Sequence, residues 1–195
     1  VTIACACAGI IIGSVFVSGL GLKFTQSVID LSGGMLFPLL CLTAISAIIL
    51  GMGMTTTAVY ITVAALIVPS LIEAGILPIA AHMFAFYFGV VSTITPPVAL
   101  ASFAGAAIAK SPPMATAFES SKVGIAKYIV PFAFIYNPSL LMEGPRIWSF
   151  YSLISVLLAY WCMTLGLEGW FNGKLNVYKR TLALLGSVSL LIPPL

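Results

Sequence analysis

The sequence predicts an all-α fold, a polytopic transmembrane helical bundle with a re-entrant hairpin and discontinuous helices. Three observations lead there. Of the 195 residues, 61% are hydrophobic and 7% are charged, against roughly 25% charged in a soluble domain. Residues 31–72 form a run of 42 without Asp, Glu, Lys, Arg or His, and His82 is the one such residue within 74–109. Inside these runs the interruptions are Gly, Pro and Thr rather than charge, so helices must start and stop at membrane depth. A spanning helix takes about 20 apolar residues at about 1.5 Å each, so the two runs hold several crossings. This composition excludes a soluble enzyme, a nucleic-acid binder, a disulfide-stapled secreted domain and a disordered chain.

The first segment, residues 2–22, is long enough to span but carries Gly9, Gly13, Gly19 and Gly21 with Ser14 and Ser18 between them. Glycine costs about 1 kcal/mol per helix position. Two readings stay open: a broken or re-entrant helix pair, or a spanning helix whose Gly9-xxx-Gly13 face packs on a neighbour. A polar connection over 23–30 leads into an apolar helix over 36–50. That helix runs into Gly51, Met52, Gly53, Met54, Thr55, Thr56 and Thr57. Two glycines and three β-branched hydroxyl residues are poor material for continuous helix, so a break is favoured. The alternative is a Thr-rich helix whose hydroxyls bond back to its own carbonyls. Helix is expected to resume over 58–71.

Residues 73–78 read as a loop, and 79–94 as the next span, ending in Thr93-Ile94-Thr95-Pro96-Pro97. Paired prolines remove two backbone donors and push the residues before them out of helical angles. A short helix over 98–109 follows, with Ala101, Gly105 and Ala109 on one small-residue face. Residues 110–127 are the most polar stretch and read as a loop with an amphipathic interfacial helix. Spans are then expected over 123–142 and 147–165, separated by a turn at 143–146, with a connection over 168–180 and a last apolar run over 181–195. The chain begins with Val and ends inside that run, so it reads as an internal fragment of a longer permease.

Charge sets an orientation. The 110–127 loop holds three Lys and the 168–180 connection holds Lys174, Lys179 and Arg180. Two spans separate them, so they share one side, the cytoplasmic one, and the turn with Arg146 faces out. The net charge of +3 is small and scattered, which gives no polyanion partner. Cys5, Cys7, Cys41 and Cys162 lie in apolar segments without His or acidic residues at ligand spacing, and read as small buried hydrophobes rather than a transition-metal site. A lone His82 at a helix start reads as a hydrogen-bonded structural residue. Nothing supplies the nucleophile, base or metal cluster of an enzyme.

Two breaks built from Gly, Pro and Thr at membrane depth persist only where they are buried or line a cavity. Carbonyl ends and Thr hydroxyls are hard oxygen ligands for an alkali cation, and half-helix N-termini suit a carboxylate.

Four motifs then carry a family resemblance. Gly51-Met-Gly-Met-Thr-Thr-Thr-Ala-Val-Tyr60, Ala80-Ala-His-Met-Phe-Ala-Phe-Tyr-Phe-Gly89, Thr93-Ile-Thr-Pro-Pro-Val-Ala-Leu-Ala101 and Val130-Pro-Phe-Ala-Phe-Ile-Tyr-Asn-Pro138 resemble the large membrane subunit of TRAP (tripartite ATP-independent periplasmic) transporters. Their order resembles the fused small and large permeases that work with a TAXI-type receptor. The likeness covers about residues 1–142, with 143–195 as truncated C-terminal transmembrane helices.

The resemblance implies a sodium-coupled importer of organic anions in the bacterial inner membrane, built from two inverted repeats of which this chain holds the second. It implies a periplasmic substrate-binding partner and no cofactor besides the coupling ion. Its second hairpin falls within about 2–25 and its broken helix within about 36–71. Helices over about 79–109 and 123–142 complete the repeat. Carried over by motif, Gly51, Met52, Gly53, Met54, Thr55, Thr56 and Thr57, together with Gly13, Ser14, Ser18 and Gly19 at the hairpin tip, contribute sodium ligands and part of the substrate site. Thr93, Thr95, Pro96 and Pro97 are adjacent. Thr55 stands where the family is expected to have Pro, and Thr93 where an acidic residue is common. The other function class left open is a non-coupled channel or structural membrane subunit, which sodium dependence of uptake separates from a carrier.

Overall fold

The computed structural model describes residues 6, 9–10, 13–15, 17–143, 145–171 and 173–191. Among them the fold is all-α, with ten α-helices and no strand. The helices are α1 Leu20–Ser32, α2 Leu36–Gly51, α3 Thr56–Leu66, α4 Val68–Glu73, α5 Pro78–Val91, α6 Leu100–Ala109, α7 Pro113–Val123, α8 Ala126–Tyr136, α9 Arg146–Glu168 and α10 Val177–Leu191. The chain forms two compact units, Val1–Phe132 and Ala133–Leu195.

In the first unit α5 packs on α2 and α3, and α1 lies along α2, α3 and α4. The interior is Leu40, Ala47, Val59, Val63, Ala81 and Phe84, each with 0% of its surface exposed. Phe84, Phe88 and Phe132 cluster with ring centroids 4.8–5.8 Å apart. Offset and edge-on ring contacts of this kind add to simple area burial.

Four expectations are corrected here. Residues 23–30 are not a polar connection but lie inside α1, because Thr25, Val28 and Ser32 are buried at helical spacing while Lys23, Gln26 and Asp30 face out. The connection is instead Gly33–Gly34, both left-handed at φ 60° and 74°, a conformation glycine adopts without steric cost. The helix expected over 58–71 is divided at Ile67 into α3 and α4. Pro69 sits in the first turn of α4, where it has no N–H to offer Ala65 and its ring crowds that carbonyl.

The helix expected within 110–127 is present as α7. A left-handed Lys110, with φ 52°, turns the chain so that α7 packs back on α6. The buried face of α6 is Ser102 and Ala106 rather than Ala101, Gly105 and Ala109, all exposed. That face combines the hydroxyl contact of Ser102 with Ser120 and the buried methyl of Ala106. Finally, 123–142 is not one span: α8 ends at Tyr136 and a 3₁₀ turn, Pro138–Leu141, follows. Pro138 forces Asn137 to an extended φ of −135°, which a helix cannot accommodate.

The second unit is dominated by a hairpin of α9 and α10. Gly166 lets α10 approach, since a Cβ there would lie 2.7 Å from Leu184 Cγ. Arg180 donates from Nε to the Gly166 carbonyl and from Nη2 to the Leu167 carbonyl, both at 2.9 Å. A guanidinium on the last carbonyls of a helix satisfies orphan acceptors and meets the negative end of its dipole. Among the described residues α9, with 23 residues and mean hydropathy 1.7, is the one helix long and apolar enough to cross a membrane. Its length is about 35 Å. α2, α3, α5 and α6 are apolar but shorter, 10–16 residues each, because the breaks divide what the composition alone suggests are full spans.

Candidate functional site

The site is the place where two helix breaks meet. α2 stops at Gly51, Met52 is extended at φ −66° and ψ 120°, and its N–H bonds the Ile49 carbonyl. Gly53 takes φ 80°, open to glycine and costly for a β-branched residue. Thr55 is extended as the N-cap of α3, without a side-chain capping bond. Thr55, Thr56 and Thr57 are exposed, with Met52 and Met54 half-buried. The break therefore sets the carbonyl end of α2, carrying partial negative charge, close in sequence to the amide end of α3, carrying partial positive charge. Three hydroxyls stand at the second of these ends.

The backbone approach at Gly51 ties this break to the next. A Cβ on Gly51 would lie 2.7 Å from Ser92 Cβ, so only glycine fits without displacement. Ser92, 1% exposed, reaches the Gly51 carbonyl at 3.0 Å and the Gly89 carbonyl at 2.6 Å with its one hydroxyl. Gly89 is equally constrained, since a Cβ there would lie 2.8 Å from Val59 Cγ1. α2, α3 and α5 thus cross through Gly51, Val59, Gly89 and Ser92 with almost nothing between their backbones.

The second break, residues 92–99, has its own hydroxyl framework. Thr93 Oγ1 donates to the Val90 carbonyl and Thr95 Oγ1 to the Val91 carbonyl, each at 2.7 Å. Tyr128 OH lies 2.7 Å from Thr95 Oγ1. Ser121 and Ser120 donate to the Ile94 carbonyl at 2.9 and 3.4 Å, and Ser120 also contacts Ser102. The Pro96–Pro97 bond is cis, and Ala99 is left-handed at φ 32°. The Ser92 and Thr93 carbonyls, which lose the N–H of Pro96 and Pro97, are met by the backbone N–H groups of Thr95 and Ala101, while the Ile94 carbonyl is met by side chains of α7, as the interior of a membrane protein demands.

Of the residues singled out in the sequence, Gly51 touches Ser92, the residue before Thr93, and Met52–Thr57 follow Gly51 in the chain. Of the hairpin residues, Ser18 and Gly19 lie away from this junction. Gly19 is left-handed at φ 65°, and Ser18 Oγ bonds the Val15 carbonyl at 3.1 Å. Two residues on, a Cβ at Gly21 would lie 3.6 Å from the Ala65 carbonyl. The turn is therefore level with the far end of α3, about 13 Å along that helix from Thr56. Ser92, Gly89, Ser102, Ser120, Ser121 and Tyr128 escaped the sequence reading. Ser92 is the residue immediately before the Thr-Ile-Thr-Pro-Pro motif. The Ser120-Ser121 pair was not legible, because a serine pair on a polar helix looks solvent-facing. His82 pairs through Nδ1 with Tyr60 OH at 3.0 Å, a structural bond between α3 and α5.

A family model described as the tripartite ATP-independent periplasmic transporter, DctM component, matches residues 1–144. The chain belongs to that family. No curated protein and no solved structure matches it. The match covers α1 to α8 and therefore both breaks, and it ends just before α9. This DctM component is part of a membrane transporter, not a member of an enzyme family.

Proposed function

We propose that this DctM component is the permease subunit of a sodium-coupled secondary importer of organic acids. It would be multi-pass in the bacterial inner membrane and would receive its substrate from a periplasmic binding protein of the TAXI type. The single observation that carries this reading is the junction at Gly51 and Ser92, where two interrupted helices meet beside the amide end of α3 and three exposed threonines. The family is ATP-independent by its description, so uphill import must draw on an ion gradient. An anion entering a negative-inside cell is opposed by about 2.3 kcal/mol per charge per 100 mV, so cations must travel with it. Residues 31–72 contain no carboxylate to carry protons. Oxygen ligands at a broken helix are the remaining device, and sodium is the small hard cation they suit.

Single Thr→Val changes at 55, 56 and 57 test this, since each keeps β-branching and removes the oxygen. Losing a ligand hydroxyl worth about 0.5–1.5 kcal/mol should raise the sodium concentration for half-maximal uptake roughly two- to twelvefold. Uptake in the reconstituted transporter, titrated with sodium, is the measurement. Unchanged sodium activation in all three variants would show that side-chain coordination here is wrong. Uptake indifferent to sodium altogether would favour a non-coupled channel.

A further inference from the structure

The second unit holds a groove of about 660 Å³ lined by Leu140, Met142, Arg146, Ser149, Phe150 and Leu153. That size is within the roughly 300–1,000 Å³ of small-ligand sites. Three features at its head share one chemistry. Arg146 is exposed and forms no ion pair among the described residues, Glu143 included. The hydroxyl oxygen of Ser149 is buried without a hydrogen-bond partner among the described residues, a state that buried polar atoms avoid unless something unseen satisfies them. The first turn of α9 has no acidic residue and no side-chain cap. Since the N–H groups of Trp148 and Ser149 both point to the Pro145 carbonyl, the amides of Arg146 and Ile147 have no partner among the described residues at the positive end of the helix dipole. A guanidinium, a hydroxyl and a helix N-terminus together specify an oxyanion.

The rest of the groove is apolar and open. Met142, Phe150 and Leu153 are 86%, 67% and 53% exposed. Phe150 and Leu153 lie about 6 and 10 Å further along α9 than Arg146. Because α9 is the membrane-length helix and begins at Arg146, the oxyanion end lies at its boundary and the apolar walls lie within its hydrophobic stretch. A soluble anion would leave those walls bare.

We infer that this groove binds an anionic phospholipid, with the phosphate at Arg146 and Ser149 and an acyl chain along Phe150 and Leu153. The wall opposite α9 is preset, because Asn137 Nδ2 donates to Ser152 Oγ at 2.8 Å and holds the 3₁₀ turn carrying Leu140 against the helix. The inference does not depend on which ion drives transport.

Native mass spectrometry of the purified full-length protein, with phosphatidylglycerol or phosphatidylcholine added to the micelles, tests it. One phosphatidylglycerol should be retained in preference to phosphatidylcholine. Arg146→Gln should lower retention roughly tenfold or more, Ser149→Ala about two- to tenfold, and Arg146→Lys should restore part of the loss. Millimolar inorganic phosphate should not displace the lipid. Wild-type retention in both Arg146→Gln and Ser149→Ala would overturn the site, as would equal retention of the two lipids or full displacement by phosphate. So would cross-linking of a Leu153→Cys variant to another segment of the permease, which would show that protein fills the groove. If Arg146→Gln does not elute as a monodisperse species, Ser149→Ala decides alone.

Discussion

Gly51→Ala is expected to remove most transport activity while adding a single methyl group. The added Cβ has nowhere to go: Ser92 Cβ would be 2.7 Å away and Val59 Cγ1 3.1 Å away, and Val59 is wholly buried. Overpacking of this kind costs about 1–3 kcal/mol. Relief can come only by separating α2 from α5, which pulls the Ser92 hydroxyl off the Gly51 carbonyl and shifts both breaks together. Uptake should fall at least about tenfold if the displacement costs the transport conformation 1.4 kcal/mol or more. Ser92→Gly deletes the opposing Cβ, so the double variant should recover thermal stability relative to Gly51→Ala alone. A double-mutant cycle on melting temperature and uptake measures that coupling. Wild-type melting and uptake in Gly51→Ala would refute the close approach.

The largest effect is expected from withholding the soluble partner. Proteoliposomes holding the membrane component alone, under an inward sodium gradient, should show background uptake, and addition of the cognate periplasmic binding protein should restore it. The physical argument is that the described helices are joined by short connections, none of which can fold around a substrate. Nor do the exposed threonines at 55–57 enclose one. Capture from dilute solution then needs a separate protein that loses ordering entropy on its own account. Robust uptake without the receptor would count against the tripartite reading and favour a self-sufficient carrier.

How much of this was legible in the sequence depends on the kind of signal. The break at 51–57 was legible because Gly51, Gly53 and three threonines disfavour continuous helix wherever they occur. Pro96 and Pro97 act the same way, since a missing N–H is a covalent fact. The connection expected over 23–30 was a misreading of a helix with one polar face, where Lys23 and Asp30 signal exposure and not the absence of helix. Pro69 carries the same covalent constraint inside an apolar run, where hydropathy gives no sign of the division at Ile67. The hydroxyls of Ser102, Ser120 and Ser121 could not be placed, because a serine bonded to a neighbour's carbonyl and one bonded to water are the same letter.

Composition and local chemistry therefore determined that the chain is all-α, that it suits a membrane, and where its helices are interrupted. These properties follow from transfer energy and from backbone geometry that each residue carries with it. Only the tertiary structure decided that Gly51 and Ser92 are in contact across 41 positions, that the turn at Gly19 lies at the other end of α3, and that Arg146 and Ser149 share a groove. Contacts between distant residues depend on how helix faces pack, and an apolar helix with little polar contrast around its circumference leaves that choice to the shape of its neighbours.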